Sequence, residues 1–316
     1  MNKGKISVLM PVYNTNPIFL KESIDSILSQ TYPNFELIIV NDGSCNDIDS
    51  SINNYNDPRI LYYKNEQNMG IAYTRNKLLK LATGKYIAYQ DSDDIAVCNR
   101  LEMQYDFLEK NPDIDICGGW LEEFPISKVR QLPLTDTEIK DSMLFIGDVI
   151  ANPTVMMRKK FIDVNQITYR EEKIEDYQLW LDILDKATFA NLPVILTKYR
   201  IHENQLTAKH DKKLQIYTDL VMQEAQQRIL GQNLSSFYKL KHLKYDRKKV
   251  NIIDIKNFYK DFEKFIQTIV VRHPSLKNEC KKVYKYAIKH HFWKISEMPF
   301  LLKCIFLYIR SFICKK

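Results

Sequence analysis

Two aspartates separated by one residue, Asp91 and Asp93, follow directly after a short apolar segment of the chain. Carboxylate oxygens are the ligands that hard divalent cations such as Mg²⁺ and Mn²⁺ prefer, and these ions also bind substrate phosphate oxygens. Two carboxylates in a turn are also compatible with a solvated surface loop. Their place immediately after an apolar segment favours a cation site over that alternative.

Asp42 has a similar place, because it follows the apolar run at 35–40 (FELIIV). Such continuous runs are typical of parallel strands buried on both faces. The periodicity predicts strands at 6–10, 35–40, 60–63 and 86–89, a helix from residue 20, and helices at 71–81 and 100–110. Pro11 is expected to end the first strand. Strands and helices in alternation form a doubly wound α/β sheet, and ligands bind beyond the carboxyl ends of its strands.

Composition supports a folded protein and excludes several classes. The 316 residues are 45% hydrophobic and 12% aromatic, which is too apolar for a disordered chain. The six cysteines form no C-x-x-C pair and no short-spaced framework, which argues against a zinc site and a secreted disulfide scaffold. The first residues lead straight into a strand-like segment without the apolar stretch of a signal peptide, so a cytoplasmic location is expected.

Five short blocks occur in order along the chain: 7–14 (SVLMPVYN), 40–44 (VNDGS), 68–76 (NMGIAYTRN), 91–94 (DSDD) and 175–180 (EDYQLW). Together they resemble the inverting family 2 glycosyltransferases of bacterial surface-polysaccharide synthesis. The resemblance implies a GT-A fold, an α/β fold with a doubly wound mixed sheet. It also implies a UDP-sugar donor, Mn²⁺ or Mg²⁺ as cofactor, and transfer of a hexose or N-acetylhexosamine to a glycan acceptor, which we expect to be lipid-linked.

The resemblance also implies which residues bind the donor. Pro11, Tyr13 and Asn14 would form the loop under the base, with Tyr13 near the uracil, although a tyrosine that packs the loop fits the sequence too. Asp42 would accept the uracil N3–H, unless it is only a turn residue. The remaining donor-binding residues are Arg75, Asp91 and Ser92. Asp91 would hold the ribose, and Arg75 would lie near the sugar or pyrophosphate or form a structural salt bridge.

Metal and catalytic roles follow in the same way. Asp93 would bind the cation directly, and His202, in the segment YRIH at 199–202, would approach the metal or diphosphate or be a structural histidine. Asp94 is expected at a helix start or behind the ligand. The base that accepts the acceptor's proton would be Asp176, with Glu175 as the second choice. Both carboxylates would also suit a helix N-terminus without any catalytic role.

Charge divides the chain near residue 208. Residues 1–208 hold 22 Lys and Arg against 30 Asp and Glu, net −8, and the remaining 24 against 9 give net +15, in agreement with the total of +7. We therefore expect a catalytic domain at 1–208, with nucleotide-sugar binding at 1–98 and the acceptor side at 99–208. A basic helical region would follow at 209–316.

The end of that region, residues 298–316, combines a wide apolar face with Lys303 and Arg310 seven residues apart. It is too short and too charged to span a bilayer, and it suits a helix lying on an anionic membrane surface at the inner face of the cell membrane. The same pattern fits packing on the protein's own core or on a partner subunit in an oligomer. Nucleic acid is not expected, because no reader motif is present.

Two other functions are alternatives to glycosyl transfer. A metal-dependent nucleotidyltransferase generally needs a basic glycine-rich phosphate loop near its N-terminus, and residues 11–14 (PVYN) do not form one. A non-catalytic sugar-nucleotide-binding module would keep the fold but lose carboxylates, whereas every expected carboxylate is present. A dehydrogenase is excluded because no G-x-G-x-x-G follows the first strand.

Overall fold

The computed structural model describes residues 3–170, 174–202 and 212–232, together with the isolated positions 235, 238, 257, 260–262 and 264–265. The strands are β1 (Ile6–Val12), β2 (Phe35–Asn41), β3 (Ile60–Lys64), β4 (Tyr86–Tyr89), β5 (Ile95–Ala96), β6 (Ile116–Phe124), β7 (Lys128–Arg130), β8 (Met156–Arg158) and β9 (Phe189–Arg200). The helices are α1 (Pro17–Leu28), α2 (Ile48–Asn53), α3 (Ile71–Leu81), α4 (Arg100–Lys110), α5 (Asp136–Phe145), α6 (Lys159–Asn165), α7 (Glu175–Asp182) and α8 (Lys212–Leu230).

The nine described strands form one sheet in the order β3-β2-β1-β4-β8-β6-β9-β5, with β7 paired to β6. The first four strands of the chain are parallel to one another, and β8 is antiparallel to both β4 and β6. The sheet is therefore mixed, as the family resemblance implies. The predicted bounds of β4, α3 and α4 are confirmed.

The core lies on both faces of the parallel strands, where β1 and β2 are buried along their whole length. Helix α1 covers one face with Leu20, Ile24 and Ile27, all fully buried. These residues recur at helical spacing, which is why the helix forms there. Asn16 caps α1 by accepting a hydrogen bond from the backbone N–H of Ile18, and Pro17 suits the first helical position.

The expectation that Pro11 ends the first strand is wrong. Strand β1 continues to Val12, and Pro11 pairs with Val40 of β2. Backbone bonds to β2 come from the even-numbered residues of β1, such as the Val12 carbonyl that accepts from Asp42 N. The N–H that Pro11 lacks would face β4, whose pairing with β1 ends at Leu9. No ladder hydrogen bond is lost there, so proline is tolerated.

The chain divides into two compact units. The first comprises residues 1–139 and 148–209 and contains the sheet. The second comprises residues 140–147 and 210–316 and includes α8, where Gln226 donates hydrogen bonds to the Leu144 carbonyl and to the Tyr238 hydroxyl oxygen. Among the residues that the structure describes, no helix has the length and apolar character needed to cross a membrane. The predicted terminal helix at 298–316 lies outside the described residues.

Candidate active site

The predicted site residues meet at one edge of the sheet. Strands β1, β2 and β4 are parallel neighbours, so the loops that follow them leave the sheet side by side. The loop after β1 carries Tyr13 and Asn14, Asp42 follows β2, and Asp91 and Asp93 follow β4. This is the edge at which open α/β sheets bind ligands.

Asp42 is almost completely buried and does more than close a turn. Its Oδ1 accepts hydrogen bonds from Asn65 Nδ2 at 2.7 Å and from the backbone N–H of Met69 at 2.9 Å, and Oδ2 accepts from Gly70 N at 2.9 Å. The neighbouring Gly43 has a φ of +67°, and a Cβ there would overlap the backbone of Gln67. The loop before α3 can therefore lie directly against the end of β2.

The loop after β1 is joined to the loop after β2. Asn14 Oδ1 accepts a hydrogen bond from Cys45 N at 2.8 Å, and Asn14 N donates to Ser44 Oγ at 2.9 Å. Tyr13 is 48% exposed, so its ring does not pack the interior of the loop. The backbone N–H of Asp42 donates to the carbonyl of Val12, so the backbone of the next residue, Tyr13, lies close to Asp42. The aromatic ring of Tyr13 is accessible at this end of the sheet.

Arg75 connects the donor side of the site to α7. Its side chain is 6% exposed; Nε lies 3.2 Å from Glu175 Oε1, and Nη2 lies 3.8 Å from Asp91 Oδ1. The rings of Tyr89 and Tyr169 flank the guanidinium, at 5.6 and 5.5 Å from Cζ. Burial alone would lower the pKa of Arg75, but the nearby carboxylates more than offset burial and raise it. The arginine is therefore a permanent cation in the site.

The acidic loop after β4 holds four polar side chains in different surroundings. Ser92 Oγ lies 2.7 Å from Thr15 Oγ1, and Asp93 Oδ2 lies 2.8 Å from His202 Nε2. Asp94 is fully buried and accepts a hydrogen bond from Arg200 N at 2.9 Å, and it precedes β5 instead of starting a helix.

Burial raises the pKa of Asp91 to about 6, with Asp93 and Asp176 adding to the rise and Arg75 opposing it.

Asp93 and His202 suit a divalent cation. The carboxylate of Asp93 and the imidazole of His202 lie within hydrogen-bonding distance of each other, and both are groups that a divalent cation can take as ligands. No group of three or more His, Cys, Asp or Glu among the described residues could hold a metal ion. A cation held by these two side chains would therefore need further ligands from substrate phosphates and water.

Glu175 and Asp176 begin α7, where the helix dipole favours negative charge. Glu175 is buried, and burial raises its pKa to about 7, with Asp176 adding to the rise and Arg75 opposing it. Asp176 is half-buried, and its Oδ1 accepts a hydrogen bond from the N–H of Tyr177 at 2.7 Å. The two neighbouring carboxylates therefore differ in surroundings.

Asp148 was missed by the sequence reasoning. Burial raises its pKa well above the usual range, and the charges of Asp176 and Glu175 raise it further, while Arg130 opposes the rise. Its Oδ1 accepts a hydrogen bond from Ile150 N at 3.0 Å. The sequence offers no signal for it, because Asp148 belongs to no motif and approaches α7 only through the fold.

Comparisons with known proteins identify the family of this chain. The family model described as Glycosyl transferase family 2 matches residues 7–164. An uncharacterised glycosyltransferase of Methanocaldococcus jannaschii is 36% identical over 234 residues, covering 69% of this chain and 78% of that protein. The Escherichia coli protein WfgD, named as a UDP-Glc:alpha-D-GlcNAc-diphosphoundecaprenol beta-1,3-glucosyltransferase, is 32% identical over 70% of this chain and 87% of its own length.

Solved structures show the same fold at low sequence identity. Residues 1–349 of Staphylococcus aureus TarS in complex with UDP-GlcNAc superpose with a TM-score of 0.58 at 17% identity, covering 92% of this chain and 93% of that one. The Pyrobaculum calidifontis mannosyltransferase PcManGT, solved with GDP-Man and Mn²⁺, gives a TM-score of 0.54 at 13% identity, covering 99% and 81%.

Proposed function

The chain belongs to glycosyltransferase family 2, and from that premise we propose that it transfers a hexose or N-acetylhexosamine from a UDP-sugar to a lipid-linked glycan acceptor in surface-polysaccharide synthesis. The name of WfgD, a UDP-glucose-dependent enzyme acting on a diphosphoundecaprenol-linked sugar, supports this donor and acceptor class. The observation that carries the proposal is Arg75, which joins Asp91 on the donor side to Glu175 on the acceptor side.

The donor's nucleoside would bind over the loops after β1 and β2. Tyr13 offers an exposed aromatic face on which uracil can stack, and Asn14 holds that loop in place through Cys45 N. Pro11 lies in β1, just before this loop. Asp42 Oδ2 accepts one hydrogen bond from the backbone, and an ionised carboxylate oxygen has capacity for a second. The uracil N3–H would supply it. Asp91 and Ser92 would lie beside the ribose.

The diphosphate would lie between Arg75 and the pair formed by Asp93 and His202. We propose that this pair holds Mn²⁺ or Mg²⁺, which when bound would neutralise negative charge on the departing nucleoside diphosphate. Arg75 contributes a buried positive charge on the opposite side of the diphosphate. Its Nη2 lies 3.8 Å from Asp91 Oδ1, so Arg75 can orient the donor within the acidic loop.

Asp176 is proposed as the base. The acceptor hydroxyl oxygen attacks the anomeric carbon as the bond from that carbon to the diphosphate oxygen breaks, and the hydroxyl proton passes to the Asp176 carboxylate. The products are an inverted glycoside and UDP. Glu175 is the second choice for this role, but its carboxylate lies against Arg75, which suits it better for holding the arginine in place.

We propose that residues 1–208 form the catalytic domain, with the donor side at 1–98 and the acceptor side at 99–208. Residues 209–316 would form a basic helical region that brings the protein to the inner face of the cell membrane, where a lipid-linked acceptor is located. Packing on the protein's own core or on a partner subunit is the other interpretation of the apolar end of this region.

The proposal is tested by incubating the purified full-length chain with UDP-Glc, UDP-Gal, UDP-GlcNAc or UDP-GalNAc, Mn²⁺ or Mg²⁺, and a GlcNAc-diphosphate-lipid acceptor. We expect one donor to yield UDP and an extended acceptor. Asp93→Ala should abolish transfer and metal-dependent UDP binding while the protein stays folded, because its carboxylate is partly exposed and does not support the core.

Asp106→Ala, at an exposed aspartate on α4, is the matched control and should keep full activity. Release of pyrophosphate instead of UDP would favour a nucleotidyltransferase. Binding of UDP-sugars without transfer to any acceptor would favour a binding module. Normal Mn²⁺-dependent turnover by Asp93→Ala would remove Asp93 as a ligand.

A further inference from the structure

Arg200, the last residue of β9, is connected to the acidic loop and to α1. It is 7% exposed, and its Nε donates a hydrogen bond to the backbone carbonyl of Asp93 at 2.8 Å. Its backbone N–H donates to Asp94 Oδ1 at 2.9 Å, and Nη2 donates to the carboxylate of Glu22 on α1. One side chain therefore joins three parts of the chain that are distant in sequence.

Two aromatic rings lie close to the same guanidinium. Arg200 Cζ lies 4.2 Å from the ring centroid of Phe19 and 5.1 Å from that of Phe124. The ring of Phe19 also lies 5.4 Å from the imidazole of His202. The next residue along the chain, Ile201, donates its N–H to the Phe124 carbonyl at 2.8 Å. The backbone that leads to His202 is thereby held at the same place.

We propose that Arg200 is a positioning residue for the cation site, an inference that rests on the proposed roles of Asp93 and His202. The arginine binds the backbone of Asp93 and shares the Phe19 contact with His202, so it holds both proposed ligands in place. Partners behind metal ligands orient those ligands and tune metal affinity. In this proposal Arg200 acts through Asp93 and His202 and is not itself a ligand.

Lysine cannot replace the arginine here. The guanidinium donates hydrogen bonds in two directions, to the Asp93 carbonyl and to Glu22, and two aromatic rings lie beside its Cζ atom. An ammonium group is a compact point charge without a planar face, so it can keep the charge but not this geometry. Arg200→Lys therefore tests position separately from charge.

The measurement is a titration of the full-length protein with Mn²⁺ in the presence of UDP, in which free Mn²⁺ is quantified by electron paramagnetic resonance. Arg200→Lys should weaken Mn²⁺ binding by about 10- to 100-fold, the usual loss when a partner of a metal ligand is changed. Arg158→Lys is the matched control. Arg158 also donates to backbone carbonyls, those of Ile114 and Leu108, but it pairs with Tyr86 at the opposite end of β4.

Arg158→Lys should lower thermal stability and leave Mn²⁺ affinity unchanged. A second variant covers the case in which Arg200→Lys fails to fold: Glu22→Gln removes the ionic partner of Arg200 at a side chain that is 46% exposed. It should weaken Mn²⁺ binding by about tenfold. Asp25→Asn, which breaks the ion pair with Lys21 on the same helix at 45% exposure, should leave the affinity unchanged.

Each result decides the inference. If the wild-type protein binds Mn²⁺ with UDP and both Arg200→Lys and Glu22→Gln bind it equally well, Arg200 does not position the ligands, although the proposed cation site stands. If wild-type protein shows no UDP-dependent Mn²⁺ binding, the cation site of the proposed function is wrong and the inference is wrong with it. Weaker binding in the two variants, with unchanged controls, supports the inference.

Discussion

Glu175 and Asp176, two adjacent carboxylates at the start of α7, have different surroundings. Glu175 is buried against Arg75, with 3.2 Å between Glu175 Oε1 and Arg75 Nε. Asp176 is half-buried and accepts a hydrogen bond from the N–H of Tyr177 in its own helix. A base must reach the acceptor hydroxyl. We therefore keep Asp176 as the proposed base and assign Glu175 the support of Arg75.

The first prediction at this scale separates the two carboxylates. Asp176→Asn should retain UDP-sugar binding but lower the rate of transfer by roughly 10²-fold or more, because shape is preserved and only the proton acceptor is lost. Binding is measured calorimetrically and transfer by UDP release. Should Glu175→Gln be inactive for transfer while Asp176→Asn is active, the roles of the two residues are reversed.

The second prediction concerns pH. Burial raises the pKa of Glu175 to about 7, so above its unfolded value the folded state holds a proton that the unfolded state has lost. Stability from this residue is therefore greatest below about pH 4.5 and falls as the pH rises toward 7. Glutamine does not titrate, so the Glu175→Gln variant does not lose stability from this position as the pH rises. The melting temperature of the variant minus that of wild type should increase between pH 4.5 and 7.

Glu36→Gln provides a control of opposite sign. Burial raises the pKa of Glu36, but hydrogen bonds from Lys5, Ser7 and Thr83 outweigh burial and lower it. Its carboxylate stabilises the fold above the unfolded pKa, and that stabilisation is lost as the pH falls. The melting-temperature difference for Glu36→Gln should therefore become more negative as the pH rises from 3 to 5. A flat difference for Glu175→Gln would contradict the raised pKa.

At the scale of elements, the start of α3 is held by another part of the fold. The N-cap residue Gly70, with a φ of +90°, has no side chain that could cap the helix. The carboxylate of Asp42 accepts hydrogen bonds from the N–H groups of Met69 and Gly70, the two residues that directly precede α3. A negative charge is favourable at a helix N-terminus, so the end of β2 stabilises α3, which carries Arg75.

The third prediction follows from this contact. Asp42→Asn should lower the free energy of unfolding by about 1–3 kcal/mol, because an amide cannot accept all three hydrogen bonds and turns a donor toward backbone donors. UDP affinity should fall as well. Chemical denaturation measures the first effect and calorimetry the second.

Asp47→Asn is the matched control, since Asp47 caps the short surface helix α2 through Ser50 N. It should cost much less stability and leave UDP binding unchanged. If both variants lose the same free energy of unfolding and both keep their UDP affinity, Asp42 only supports the start of α3.

At the scale of the whole molecule, charge separates the chain into an acidic part and a basic part. The acidic 1–208 contains the carboxylates that surround the site, and the net +15 of 209–316 lies outside it. Each Lys or Arg near an anionic leaflet contributes about 1 kcal/mol of attraction. A protein whose acceptor is attached to a lipid would benefit from such an attraction.

The fourth prediction tests the tail. Full-length protein should co-sediment with anionic vesicles at low salt, and a protein ending at Glu297 should bind them less, because residues 298–316 supply the apolar face. Neutral vesicles and high salt are the controls and should weaken binding of both proteins. Equal binding with and without the tail, or none at low salt, would contradict the membrane proposal and leave packing on the protein's own core or on a partner subunit.

Much of the donor half followed from sequence, because its patterns are local. The apolar run of β2 and the helical spacing of α3 predicted both elements, and the turn residues after β2 and β4 placed Asp42 and Asp93 at one edge. The Pro11 error has a tertiary cause, since only the early end of the β1 and β4 pairing makes a proline harmless there.

The acceptor half depended on the tertiary structure. Asp148 belongs to no motif, and the segment at 199–202 indicated a role for His202 but none for Arg200. The surroundings of both residues come from parts of the chain far away in sequence, such as Asp176 for Asp148 and Glu22 for Arg200. The sequence alone determined the family, the mixed α/β fold and the charge asymmetry. Only the folded chain decided which carboxylate Arg75 pairs with and what supports Asp93, because pairing and burial depend on distances between segments that no local pattern encodes.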